Sequence, residues 1–197
     1  VAHIDLYMGL VEVGVGLVPA GGGCKELLRR VVNPVMAIMD GDPLPPIRSV
    51  FETVGMAKVS MGAVEARHLG FILPADRIVM NLDELLGEAK REVLHLSGSG
   101  YVPPRREKIY AAGRDTLAAL RAALFQMHEG KYISDHDRLI GDKLAWILTG
   151  GDLSNPTWVD EQYILDLERE AFVDLIQMPK TIERIVYTLK TGKPLRN

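Results

Sequence analysis

The sequence predicts a mainly α-helical chain with a short, strand-poor N-terminal piece. Three observations carry this. Leu6 to Val18 is β-branched and punctuated by glycine, a 3.6-residue apolar period takes over from Ile47, and only Arg77–Met80 reads as a short strand. The 197 residues fit one domain, or one lobe with a helical extension, and 47% hydrophobic with 25% charged residues suffices for a buried core.

Taken in order, the early segment gives turns and short extended pieces, then Gly21-Gly22-Gly23 opens a short helix over Lys25–Arg30. Asp40 to Pro46 is a proline-rich loop. Helices are expected at Pro46–Lys58, Ser60–Leu69 and Leu82–Leu96, and Ser97–Pro104 is a Gly/Ser/Pro linker. Beyond it, helices are expected at Arg114–His128, Ser134–Leu148, Val159–Gln177 and Pro179–Leu189, with breaks at Gly130, Gly150-Gly151 and Pro156. The boundary divides the chain into residues 1–97 and a helical lobe, 98–197.

The net charge of −3 offers no broad basic field, which disfavours nucleic acid as a partner. The lone Cys24 excludes an internal disulfide framework and suits a reducing cytosol, so a cytoplasmic location is expected. The longest apolar run, around Val31-Val32 and Val35–Met39, is broken by Asn33-Pro34 and closed by Asp40, too short for a membrane span. The sequence enters almost at once on a glycine motif and starts with Val1, so the natural polypeptide is expected to begin upstream.

Gly14-Val15-Gly16-Leu17-Val18-Pro19 invites a dinucleotide-binding reading, with Asp40 as the ribose-binding acid. Against it, Pro19 stands where a small residue must pack and has no N–H for a pyrophosphate, and Asn33-Pro34 interrupts the supposed second strand. A glycine-rich turn with no function is the plainer alternative. Glu12, just ahead of the glycines among Val11, Val13 and Val15, opposes that. Burying a carboxylate among valines costs several kcal/mol unless it is paired or its pKa rises, and a raised pKa is what proton transfer uses. Glu12 is therefore the catalytic candidate.

Gly9 to Gly23, with Leu27 and Arg29 or Arg30 in the following helix, resembles the second signature block of the crotonase (enoyl-CoA hydratase/isomerase) superfamily. Ser60–Phe71, Asp76–Val79 and the tail Glu168–Asn197 resemble that family's later helices and closing strand. Tyr132–Asp137 and Leu148–Asp152 are similar to bacterial fatty-acid oxidation proteins in which a 3-hydroxyacyl-CoA dehydrogenase domain precedes a crotonase-like domain.

The resemblance implies the C-terminal part of the crotonase (ClpP/crotonase-like α/β) fold, in which residues 1–97 are a core remnant. It places Glu12 on the second catalytic glutamate, acting on a trans-2-enoyl-CoA. Gly14, Gly16, Pro19, Gly21, Gly22 and Gly23 would shape the substrate turn. The oxyanion hole and first glutamate would lie upstream. Preorganised donors of that kind are worth a factor of ~100 or more, so the chain alone is expected to be nearly inactive. The implied partners are an acyl-CoA thioester, the upstream polypeptide and further copies of the chain. No cofactor is expected here, and NAD would belong to the dehydrogenase domain. Val11, Ala20 and Cys24 depart from the family's usual proline, glycine and threonine or serine.

Other candidates have plainer accounts. Asp135-His136-Asp137, with His128, could suggest a metal, but Ser134 capping a helix with acids in its first turn explains them. His68 and His95 read as structural. The glycine turn and Lys25 could lower the Cys24 thiol's pKa, yet no histidine is near in sequence and a structural role is the reading. Trp146, Ile147, Trp158, Ile164, Leu165, Phe172 and Ile176 are core or subunit interface. Lys190, Lys193 and Arg196 are solvated, with CoA phosphates as an implied alternative. A different class of function, a helical assembly module without chemistry, rests on the apolar helix faces between Arg114 and Leu189.

Overall fold

The structure, a computed structural model, describes residues 1–38 and 41–197, so Met39 and Asp40 lie outside the described residues. In chain order come β1 (Ala2–His3), a 3₁₀ turn (Glu12–Val15), α1 (Gly23–Leu27), a π turn (Leu28–Val32), α2 (Asn33–Ile38), α3 (Leu44–Gly55) and α4 (Ala63–His68). Then follow β2 (Ile78–Val79), a 3₁₀ turn (Leu82–Glu84), α5 (Leu85–Gly98), β3 (Lys108–Ala111), α6 (Gly113–Glu129) and α7 (Asp135–Thr149). The last elements are β4 (Thr157–Asp160), α8 (Glu161–Ile176) and α9 (Pro179–Thr191). The mainly helical expectation holds, and no described helix is long and apolar enough to cross a membrane.

The chain folds into two compact units, one of Val1–Gly9 with Val59–Arg106, the other of Leu10–Lys58 with Glu107–Asn197. In the first, β1 and β2 pair in parallel, Ala2 opposite Ile78 and His3 opposite Val79. Ser60 stitches the two stretches together: its hydroxyl accepts from the Met8 N–H (3.0 Å) and donates to the Leu6 carbonyl (2.8 Å). Ala63, Ala66, Phe71 and Val79 form the unit's small core, and α5 buries none of its residues.

In the second unit Leu28, Val32, Ile47, Val54, Ile140, Leu144, Ile164 and Leu175 are all fully buried. Each such side chain contributes about 1.5–3 kcal/mol through burial, so this cluster dominates the unit's stability. Helix α3 starts at Leu44, two residues earlier than expected, because Pro45 and Pro46 fit a first turn whose N–H groups need no partner.

The helix off the glycine turn runs past Arg30 and through Pro34 to Ile38. Pro34 can bond no earlier carbonyl, and the π turn just before it, closed by the Asn33 N–H on the Leu28 carbonyl, absorbs the mismatch. The Asn33 side chain then docks on β3, donating to the Lys108 carbonyl (2.7 Å) and accepting from the Tyr110 N–H (3.0 Å).

The expected helix over Val159–Gln177 starts only at Glu161. Thr157–Asp160 instead pairs antiparallel with β3, Tyr110 opposite Trp158, their rings edge to face at 5.3 Å. A β-branched and aromatic tetrapeptide goes to strand when a partner strand is at hand, and that partner lies some fifty residues away in sequence.

Candidate active site at Glu12 and the glycine turn

Glu12 opens the 3₁₀ turn, which ends at Gly16 with φ +87°, a left-handed residue whose N–H returns to the Val13 carbonyl at 3.1 Å. The turn is less enclosed than its valines suggest: none of its four residues is buried, and Val11 is 50% exposed. Glu12 itself is half-buried, but its Oε2 is shut off from solvent and has no hydrogen-bond partner among the described residues. A buried acceptor without a donor is costly, and such groups concentrate where chemistry is done.

Leu17, Val18 and Pro19 plunge into the core, and Gly21 and Gly22 turn the chain into α1. Gly22 has φ +95°, a conformation that leaves the next amides pointing together. Those amides meet Glu168, on α8 and fully buried. The Gly22 N–H donates to its Oε2 and the Lys25 N–H to its Oε1, both at 2.7 Å. Burial pushes the Glu168 carboxyl above its ordinary pKa, while the bonds from Lys25 and Gly22 oppose the rise. A dinucleotide phosphate would need these N–H groups, and they are already bonded. Helix Asn33–Ile38 stands where that reading required a strand, and Asp40 is outside the described residues.

The remaining glycines divide in two. Gly23 is in close quarters, since a Cβ there would stand 2.8 Å from Leu10 Cδ2 and 3.1 Å from Pro19 Cβ. Gly14 and Gly21 have open space around them. On the far side, the Thr181 hydroxyl on α9 donates to the Gly16 carbonyl at 3.0 Å and lies 2.9 Å from His136 Nε2. A hydroxyl has one proton, spent here on Gly16, so the imidazole carries its proton on Nε2. Burial, then the charges of Arg184 and Lys180, hold the His136 pKa below its ordinary value, although Asp137 opposes them.

Cys24 is fully buried, and burial, then the negative charges of Glu168 and Glu12, push its thiol well up. The lowered pKa that the glycine turn and Lys25 could have given is overturned, and Cys24 is a buried core residue. The Lys25 ammonium points to Glu26 and to Glu161 (3.4 Å), and Glu26 also takes Arg29 (2.9 Å) and Arg30 (3.1 Å). Burial would raise Glu26, but Lys25 and Arg29 outweigh it and lower its pKa to about 2.

The Asp135–Asp137 cluster behaves as a helix start. The Ser134 hydroxyl accepts from the Asp137 N–H (3.1 Å), and the Asp137 carboxylate accepts from the Ser134 N–H (3.1 Å). Arg184, 1% exposed, donates to Asp137 at 2.8 Å, and Arg196 approaches the same carboxylate at 3.1 Å. Among the described residues no three His, Cys, Asp or Glu side chains converge as a metal cage would require. Beside the Glu12 turn opens a cavity of about 880 Å³, lined by Val13, Phe51, Met56, Met127 and Leu144, with Lys131 and Arg196 at its polar part.

Sequence reasoning missed Glu168 and Thr181. A signal for Glu168 existed: it interrupts the buried stripe Ile164, Leu167, Ala171, Leu175 of α8, and an acid on an apolar stripe must have donors somewhere. For Thr181 there was none.

No protein-family profile matches the chain. It is 44% identical over 200 residues to the "Probable 3-hydroxyacyl-CoA dehydrogenase" of Bacillus subtilis, a match covering 100% of this chain and 24% of that protein. It is 28% identical over 190 residues to the "Putative fatty acid oxidation complex trifunctional enzyme" of Rickettsia felis, covering 96% of this chain and 23% of that protein. The chain is homologous to a segment of these two proteins. It spans about a quarter of the length of each.

Proposed function

We propose that the chain is the C-terminal part of a crotonase-fold domain whose parent polypeptide adds water to a trans-2-enoyl-CoA. Glu12 serves as general acid and base: it exchanges a proton with the substrate α-carbon while water oxygen bonds to the β-carbon, beside a first glutamate supplied from upstream. The observation that carries this is the solvent-shielded, unpartnered Oε2 of Glu12, on a turn whose closing Gly16 carbonyl is held by Thr181. The apolar cavity beginning at Val13 has the size and polarity to take an aliphatic chain. Hydration yields a 3-hydroxyacyl thioester, the substrate class in the name of the Bacillus subtilis relative. NAD would serve that other reaction, on another part of the polypeptide. A cytoplasmic location fits both steps.

The test is the loss of enoyl thioester absorbance. The polypeptide carrying this chain is expected to consume trans-2-enoyl-CoA and release the 3-hydroxy product, and the 197-residue chain alone to be nearly inactive. Absence of hydration in the longer polypeptide overturns the reading.

The assembly reading keeps one supporting observation: Ile182, Val186 and Leu189 of α9 are all exposed apolar residues. Homo-oligomer contacts through this helix predict a sedimentation coefficient above that of a monomer, and a strict monomer removes them.

A further inference from the structure

The buried Glu168 has no part in the acid–base scheme, yet it makes the two long-range bonds that tie the glycine turn down, across 146 and 143 residues of sequence. The Lys25 ammonium turns to Glu26 and Glu161, so Glu168 takes its hydrogen bonds from backbone amides. The turn it holds is in van der Waals register with the segment bearing Glu12. Gly23 lies against Leu10 and Pro19, with no room for even a methyl group, and Leu10 is two residues before Glu12. A shift of the Gly22–Lys25 turn therefore presses first on the Leu10 side chain, and through Leu10 on the segment that bears Glu12.

We propose that Glu168 is a positioning residue for Glu12: by anchoring the Gly22–Lys25 turn against Leu10 it sets the backbone that carries the Glu12 carboxyl. The proposal rests on the reading of Glu12 as the proton-transfer group. Its physical content is that a carboxylate two elements away fixes the reacting one. Misplacing a reacting group by about 1 Å can cost up to ~100-fold in rate, so such an anchor matters even though it touches no substrate.

Two variants test it, with carboxyl-carbon NMR of the 197-residue chain as the primary readout. Glu168→Gln keeps one acceptor and the side-chain volume. Gly22→Ala disturbs the same turn from the other side, through its left-handed φ, and leaves Glu168 intact. In both, the Gly22 and Lys25 amides should exchange faster with solvent, and the Glu12 side-chain carboxyl-carbon resonance should shift from its wild-type position. Faster exchange with an unmoved Glu12 carboxyl resonance in both variants overturns the proposal and leaves Glu168 a helix cap only. Should Glu168→Gln not fold, Gly22→Ala alone decides by the same two readouts.

In the longer polypeptide, Glu168→Gln should lower kcat for enoyl-CoA hydration about tenfold with KM little changed, since alignment and not binding is lost. An altered KM at constant kcat contradicts the positioning role. If the wild-type polypeptide hydrates nothing, the proposed function fails while the NMR arms still decide whether Glu168 sets Glu12.

Discussion

Two helix starts in the second unit, those of α1 and α7, solve the same problem by opposite means. Each must satisfy backbone N–H groups that have no carbonyl one turn earlier. At α7 the answer is local: Ser134 and Asp137, three residues apart, exchange hydrogen bonds, and Arg184 and Arg196 close over the acid. At α1 the preceding residue is Gly22, which has no side chain, and the acceptor comes from Glu168 on α8. A local cap stabilises one helix. A remote cap ties the Gly22–Lys25 turn, which follows the Glu12 segment in the chain, to the packing of α8.

The largest effect expected from this contrast is at the remote cap. Glu168→Ala strands two buried N–H groups and should cost about 3 kcal/mol in urea unfolding, where each unmet buried donor is worth ~1–3 kcal/mol. Ser134→Ala should cost about 1 kcal/mol by the same measurement, as a lost Ser cap typically does. Equal costs at the two positions would break the comparison.

The smaller effect lies in the pH dependence, where the two acids differ in sign. Glu168 has a raised folded pKa, chiefly from burial, so its contribution to stability is fully present below its unfolded value of 4.5 and is lost as pH rises through the folded pKa. Asp137 is pushed up by burial but held below 3.8 by Arg184, the Ser134 N–H and Arg196. Its contribution is present above 3.8 and lost as pH falls through the folded pKa. Unfolding midpoints between acid and neutral pH should therefore diverge in opposite directions for Glu168→Gln and Asp137→Asn relative to the wild type. Parallel curves would show that the two carboxyls sit in similar surroundings.

The same contrast explains what could be read from sequence. Ser134 followed by Asp137 is a cap signature within four residues, and α7 begins within one residue of its expected start. Glycine 150 stops it where the sequence indicates. The helix through Pro34 was not legible, because its π turn and the docking of Asn33 on β3 depend on a strand more than seventy residues away. Val159 and Asp160, the second half of β4, hid inside a helical period for the same reason.

At the candidate site, Glu12 and the glycines stand out by composition and spacing. Their support does not: Thr181, with His136 against its hydroxyl, reaches Gly16, and Glu168 reaches Gly22, only after α7, α8 and α9 have packed. Val11, Val13 and Val15 also misled in degree, since a 3₁₀ turn points successive side chains around an axis and leaves Val11 half in solvent.

The proposed role of Glu12 as the proton-transfer group in enoyl thioester hydration is tested most directly by Glu12→Gln in the polypeptide carrying this chain. The amide keeps the size of the side chain and removes its acid–base function. The expected result is a fall in kcat of ~100-fold or more for trans-2-enoyl-CoA hydration, as for loss of a positioned general acid or base, with thermal stability retained. Hydration at the wild-type rate in that variant contradicts it.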